Sequence, residues 1–287
     1  MDTEVRRHLA ERRHRLLESR RLSPVAAVVA RFKQIDGATQ GVLVSVQLFT
    51  VVIPLMILGF SYLSGFAANA SPGTIWIREL GLEGDTSDTV RGAFGDTARL
   101  RSVWTVVGVT AFMAWGIPMS MTVASMFAKA WQRQQFPAAQ RLVRGAAWFV
   151  LYLTMLVLRE RTAFGTDQHG LALVLLFAAA LIAVWVFWSL TPVILVRDGG
   201  HGFRYLALAG LAGVVIDGIV IPLAGRLLFP PVIDGWAEFG PIGVAMALMT
   251  WCGVLGTGWV ITACVGAVLW ERIAPTETVL QAQSPNG

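Results

Sequence analysis

Charge is scarce in this sequence. Only 14% of its 287 residues are Asp, Glu, Lys or Arg, against roughly 25% in an ordinary soluble domain. That argues against both a soluble enzyme of this size and a disordered chain. Cysteine is scarcer still. Two residues, Cys252 and Cys264, cannot staple a secreted domain, and their spacing suits neither metal nor redox chemistry, which leaves them as small buried residues. The four histidines, His8, His14, His169 and His201, enter no His-Asp-Ser or His-Glu-x-x-His arrangement, so no metal site or hydrolytic triad is expected. A GxxxxGKS/T phosphate loop is also missing, which excludes an ATP-driven pump made of this chain alone. What remains is apolar: 55% of residues are hydrophobic.

The apolar residues fall in long runs. A hydrocarbon core about 30 Å thick needs roughly 20 helical residues to cross it. Six stretches qualify: 41–66, 102–127, 136–158, 171–196, 205–228 and 242–269. The third has a short apolar part, 145–158, and must borrow 136–144, with Arg141 and Arg144 reaching toward headgroups. Trp104, Trp131, Trp148, Trp188 and Trp270 lie near span ends, as interfacial aromatics do. The expected fold is all-α: a polytopic membrane bundle of six transmembrane helices, 41–272, preceded by basic amphipathic helices in 1–40. A small external domain, 67–101, separates the first two spans, and the tail, 273–287, is expected to be disordered.

Orientation follows from Lys and Arg. Of the 23, 16 lie in the N-terminal 40 residues, in 129–144, in 197–204 and in the tail, and 7 on the other side. The positive-inside rule therefore predicts a multi-pass membrane protein with both termini cytoplasmic. The Arg-rich start lacks the apolar core of a signal peptide. Thr3 to Arg21 is a basic helix candidate. Ser23-Pro24 then reads as an N-cap with proline in the first turn. Val25, Val28, Val29 and Phe32 follow at i, i+3, i+4 and i+7, one helical face suited to the membrane interface. Basic residues Arg31, Lys33, Lys129, Arg133, Arg141 and Arg144 are expected to meet anionic headgroups, which explains the charge of +5 without nucleic acid. Carboxylates in 67–101 lack the spacing of a calcium loop.

One ionisable residue lies deep in a span: Asp217, in the fifth. A charge at such a position costs at least about 2.5–3.5 kcal/mol. It is either a coupling-ion, proton or substrate contact, or a hydrogen-bonded carboxyl joining two helices. Pro54, Pro118, Pro192 and Pro222 are read as interrupting spans, and Phe229-Pro230-Pro231 as ending the fifth. Gly210, Gly213, Gly218, Gly253 and Gly256 are read as close-packing positions.

The order of motifs resembles the YihY/BrkB family of bacterial inner-membrane proteins, historically labelled ribonuclease BN-like. An amphipathic helix precedes Arg31-Phe32-Lys33 and Asp36-Gly37. The first span then carries Ile53-Pro54-Leu55, and a basic loop follows the second at Ala130-Trp131-Gln132-Arg133. Last comes Phe239-Gly240-Pro241-Ile242-Gly243-Val244, leading to Trp251. The resemblance covers roughly 25–272. It implies six helices, an acidic residue near Asp217 and transport of lipid or envelope components. Where the family has Gly-Ala-Glu in its sixth span, this chain has Thr262-Ala263-Cys264, which removes a second membrane carboxyl.

Together these features lead to a non-ATP-dependent transporter or flippase-like protein for a lipidic or amphipathic component, without cofactor. The alternative is a membrane scaffold acting through its basic N-terminal helices. A nuclease comes last, because the cytoplasmic segments offer no clustered metal ligands. The sequence does not set the oligomeric state.

Overall fold

The computed structural model describes residues 23–63, 87–88, 104–163, 171–197, 199–200, 203–236, 239–276 and 278–279. Among the described residues every regular element is helical: α1 (Pro24–Gln34), α2 (Gly37–Leu63), α3 (Trp104–Ala130), α4 (Ala138–Ala163), α5 (Leu171–Leu195), α6 (Phe203–Val215), a π turn (Ile216–Val220), α7 (Ile221–Trp236) and α8 (Pro241–Ile273). The basic segment 3–21 and the expected external domain, residues 87–88 apart, lie outside the described residues, as does most of the tail.

Each of the six apolar stretches carries a helix. Among the described residues, three runs are long and apolar enough to cross a membrane: Val174–Leu195, Arg204–Trp236 and Ile242–Ile273. A fourth is reached if the bent pair α1 and α2 counts as one span. The outer surface of these runs agrees with a lipid setting. Val174, Phe177, Ile182, Leu211, Val215, Ile219, Leu223 and Leu227 are all exposed. Exposed apolar side chains in such number are a liability in water and ordinary against lipid.

The contacts divide the chain into two units. The first comprises Met1–Gln40, Val123–Gly218 and Trp259–Gly287; the second comprises Gly41–Thr122 and Ile219–Gly258. In the first, α1 starts as its sequence dictates. Ser23 accepts a hydrogen bond from the Ala26 N–H at 3.2 Å, and Pro24 occupies the first turn. Its buried side is Ala27 and Arg31, while Val25 and Val29 face outward. Within this unit Trp148, Phe187, Trp259, Trp270 and Phe127 are almost fully enclosed. Trp185 adds a tie between α5 and α6 by donating to the Ala207 carbonyl at 2.7 Å. In the second unit α2 and α8 meet backbone to backbone. A Cβ placed on Gly256 would come 2.7 Å from the Gly41 carbonyl oxygen, so only glycine permits that approach. Phe229 packs on Trp251 in the same unit, ring centres 6.0 Å apart.

Several expectations need correction. Pro118 and Pro192 lie inside continuous helices, and α2 runs on past position 54. A proline removes one backbone bond and crowds the carbonyl four residues earlier, but neighbouring helices absorb that loss inside a bundle. Only Pro222 follows a true irregularity, the π turn at Ile216–Val220. A helical proline crowds the carbonyl four residues earlier, and a π turn widens the backbone there. Phe229-Pro230-Pro231 does not end the fifth run either, since α7 continues through both prolines to Trp236. The tail begins in order: Ala274 and Val279 are buried, and the Val279 N–H donates to the Pro275 carbonyl at 3.1 Å. Among the described residues, Gly218 has only ordinary van der Waals neighbours and Gly253 has none within 4 Å, so neither marks a close approach to them.

Candidate functional site

Asp217 is the second residue of the π turn, and it is 6% exposed. The preceding helix brings it there. Gly210, Gly213 and Asp217 recur at three- and four-residue spacing, so they share one face. That face meets Trp188 and Ser189 of α5. A Cβ on Gly213 would overlap the Trp188 ring, and one on Gly210 would overlap the Ser189 hydroxyl. With no side chain at either glycine, Trp188 lies flat on α6 and its indole N–H donates to Asp217 Oδ2 at 3.3 Å.

Trp188 is held from several sides. Phe127 stacks on it at 6.2 Å and 21°, Phe187 meets its edge at 5.1 Å, and Trp259 does so at 6.1 Å and 78°. These contacts extend to Tyr152, which lies 5.2 Å from Trp259, and to Trp148, 5.8 Å from Trp259. Trp148 is fixed in turn by donating to the Thr191 hydroxyl at 3.1 Å, and Thr191 donates to the Phe187 carbonyl at 2.8 Å. Edge-to-face ring pairs are each worth about 0.5–1.5 kcal/mol beyond their area. A rigid aromatic wall from α3, α4, α5 and α8 therefore supports one carboxyl group. π turns inside α-helices occur disproportionately at functional positions, and a carboxyl in apolar surroundings is a candidate for exchanging a proton, a cation or a polar headgroup.

The basic residues expected at the membrane surface separate into two kinds. Lys33 and Lys129 are exposed. Arg133 lies over the Trp270 ring at 5.0 Å, and Arg141 donates to Gln135. Arg144 sits 4.1 Å over Phe136 and donates to the Val193 and Ile194 carbonyls at 3.4 and 3.3 Å, where a cation complements the end of α5.

Arg31 does not face headgroups. It is 7% exposed and paired with Glu271 of α8, its Nη2 donating to the two carboxylate oxygens at 3.0 and 2.8 Å. Its Nη1 donates to the Ala130 carbonyl at the end of α3. The amphipathic face was oriented by its valines, but a buried carboxylate attracts the arginine more strongly than bulk lipid surface attracts it outward. Glu271 was not anticipated. One signal for it exists: a carboxylate in the last turn of a helix opposes the macrodipole and needs a cation beside it. It also restores a second buried carboxyl in the sixth run, several residues after Thr262-Ala263-Cys264.

Pro54 and its side-chain surroundings lie outside the described side chains. Gly240 has a positive φ of 55° at the corner before α8, a backbone region in which glycine carries no strain. Gly243 allows α8 to start against the Trp236 carbonyl. Both cysteines are buried thiols. Among the described residues, no group of three or more His, Cys, Asp or Glu is placed to hold a metal ion. No family model matches this chain, and no curated protein or solved structure matches it either.

Proposed function

We propose that this chain is a six-span bacterial inner-membrane protein, related to the YihY/BrkB family. In this proposal both termini are cytoplasmic, and the protein moves a lipidic or amphipathic envelope component without ATP. Asp217 is the polar contact for the substrate headgroup or a coupling ion. No cofactor and no covalent chemistry are required, so the protein is a carrier rather than an enzyme. Lys33, Lys129 and Arg133 bear on anionic headgroups at the cytoplasmic face.

The single observation that carries this proposal is the buried Asp217 on a π turn, held by the Trp188 indole. Inserting a carboxyl and a distorted turn into an apolar helix is costly. A purely structural bundle reaches the same packing with an alanine and a regular turn. The surrounding aromatic wall adds support, because it holds the carboxyl's partner in one rotamer (and so keeps the site preorganised).

A scaffold remains the second reading, favoured by one observation: Val25 and Val29 on α1 are 74% and 47% exposed. Deleting residues 1–22 separates the two. Transport survives the deletion if Asp217 is the working residue, and a scaffold loses its function. The direct test compares total lipid profiles of cells carrying the wild type, Asp217→Asn, Asp217→Ala and no protein. Asp217→Ala should reproduce the profile of the null strain at normal abundance. Wild-type profiles for both variants would remove Asp217 from the proposal.

A further inference from the structure

The Arg31–Glu271 pair is an expensive way to hold α1. Each buried ion costs several kcal/mol in desolvation, and well-packed apolar residues often do as well or better. The pair nevertheless gathers three helix segments of the first unit: α1 through Arg31, the last turn of α8 through Glu271, and the end of α3 through the Ala130 carbonyl. Such a contact is either made with all its hydrogen bonds or broken, with little in between.

The corner that follows α1 has the character of a hinge. The Ile35 N–H closes the helix onto the Arg31 carbonyl at 3.1 Å, and the Asp36 N–H reaches the Lys33 carbonyl at 3.1 Å. Asp36 is left-handed, with φ 54°, a conformation costly to most side chains and tolerated by aspartate. Beside it, the ring of Phe32 lies against Gly37, where a Cβ would stand 2.5 Å away. Besides the ion pair and the Phe32 ring, α1 contributes the small buried Ala27 and an exposed amide contact, Gln132 to Gln34 at 3.0 Å. Its outward valines, Val25 and Val29, are exposed.

We infer that α1 is a strap latched over the ends of α3 and α8 by the Arg31–Glu271 pair, and that it swings at the Ile35–Asp36 corner when the pair breaks. This goes beyond the transport proposal and is tested without a transport assay, so either can fail alone. Cys252 and Cys264 are first replaced by alanine in the full chain, and Ala27→Cys is introduced on the covered side of α1. Maleimide labelling in permeabilised membranes then reads whether the strap is open. Leu206→Cys, buried elsewhere in the same unit, serves as the control.

Glu271→Gln should raise the labelling rate at position 27 by at least about tenfold and leave position 206 unchanged. Arg31→Lys, which keeps the charge but loses the forked donors, should give an intermediate rate. The exchanged pair Arg31→Glu with Glu271→Arg should return only part of the protection, because a carboxylate at 31 cannot donate to the Ala130 carbonyl. Unchanged labelling at position 27 in Glu271→Gln overturns the latch. So does an equal rise at both positions, which signifies general loosening. If Glu271→Gln does not accumulate, Arg31→Lys decides by the same two criteria.

Discussion

The first unit buries two carboxylates in opposite ways. Asp217 sits in the interior of a helical run, on a widened turn, and its described donor is a neutral indole. Glu271 sits in the last turn of α8 and is held by a guanidinium through two oxygens. A charge-assisted hydrogen bond is roughly twice as strong as a neutral one, and Arg31 Nη2 shares itself between both Glu271 oxygens while Nη1 holds the Ala130 carbonyl. Among the contacts of Asp217 is the Trp188 indole, whose own position is secured by rings rather than by charge. A carboxyl that is tied down by a cation serves architecture or latching. One that sits on a distorted turn inside an apolar run, beside an indole N–H, can serve as a polar contact for substrate or ion. That difference is why Asp217, and not Glu271, is assigned to substrate or ion contact.

The contrast can be broken at several points. The largest loss is expected for Arg31→Ala, which leaves Glu271 buried without its cation and should lower stability by about 3–5 kcal/mol. A thermal melt of the detergent-purified protein reads this directly. Gly213→Ala comes next. The added methyl must displace the Trp188 ring, at about 1–3 kcal/mol for overpacking, and it should also disturb the Asp217 contact. Trp188→Phe keeps most of the packing but deletes the indole donor, and about 1–2 kcal/mol should be lost. It should impair lipid movement more than Arg31→Lys does at equal abundance. The smallest effect belongs to Gly218→Ala, where the new methyl finds ordinary contacts. Here stability should stay within about 1 kcal/mol and can rise slightly, because alanine favours helix over glycine.

Much of this architecture was legible in the sequence. Long apolar runs placed a helix at each of the six stretches, because twenty apolar residues in a row have no other economical structure in lipid. Ser23 and Pro24 marked the start of α1 through local capping chemistry. Asp217 stood out because it is the ionisable residue deep within a run, away from its ends. The Arg31–Glu271 pair was not visible, since the two residues are 240 positions apart and each looks like an ordinary interfacial charge. The prolines misled for a related reason. Their local effect is to break a helix, yet packing inside a bundle tolerates them, and the distortion concentrates before Pro222 alone.

The account turns on whether Asp217 acts or merely joins helices. Total lipid analysis of cells expressing Asp217→Ala, with protein abundance measured in the same samples, tests this most directly. Normal abundance together with the lipid profile of cells lacking the protein is expected if Asp217 acts on the substrate. A wild-type profile at normal abundance would contradict it.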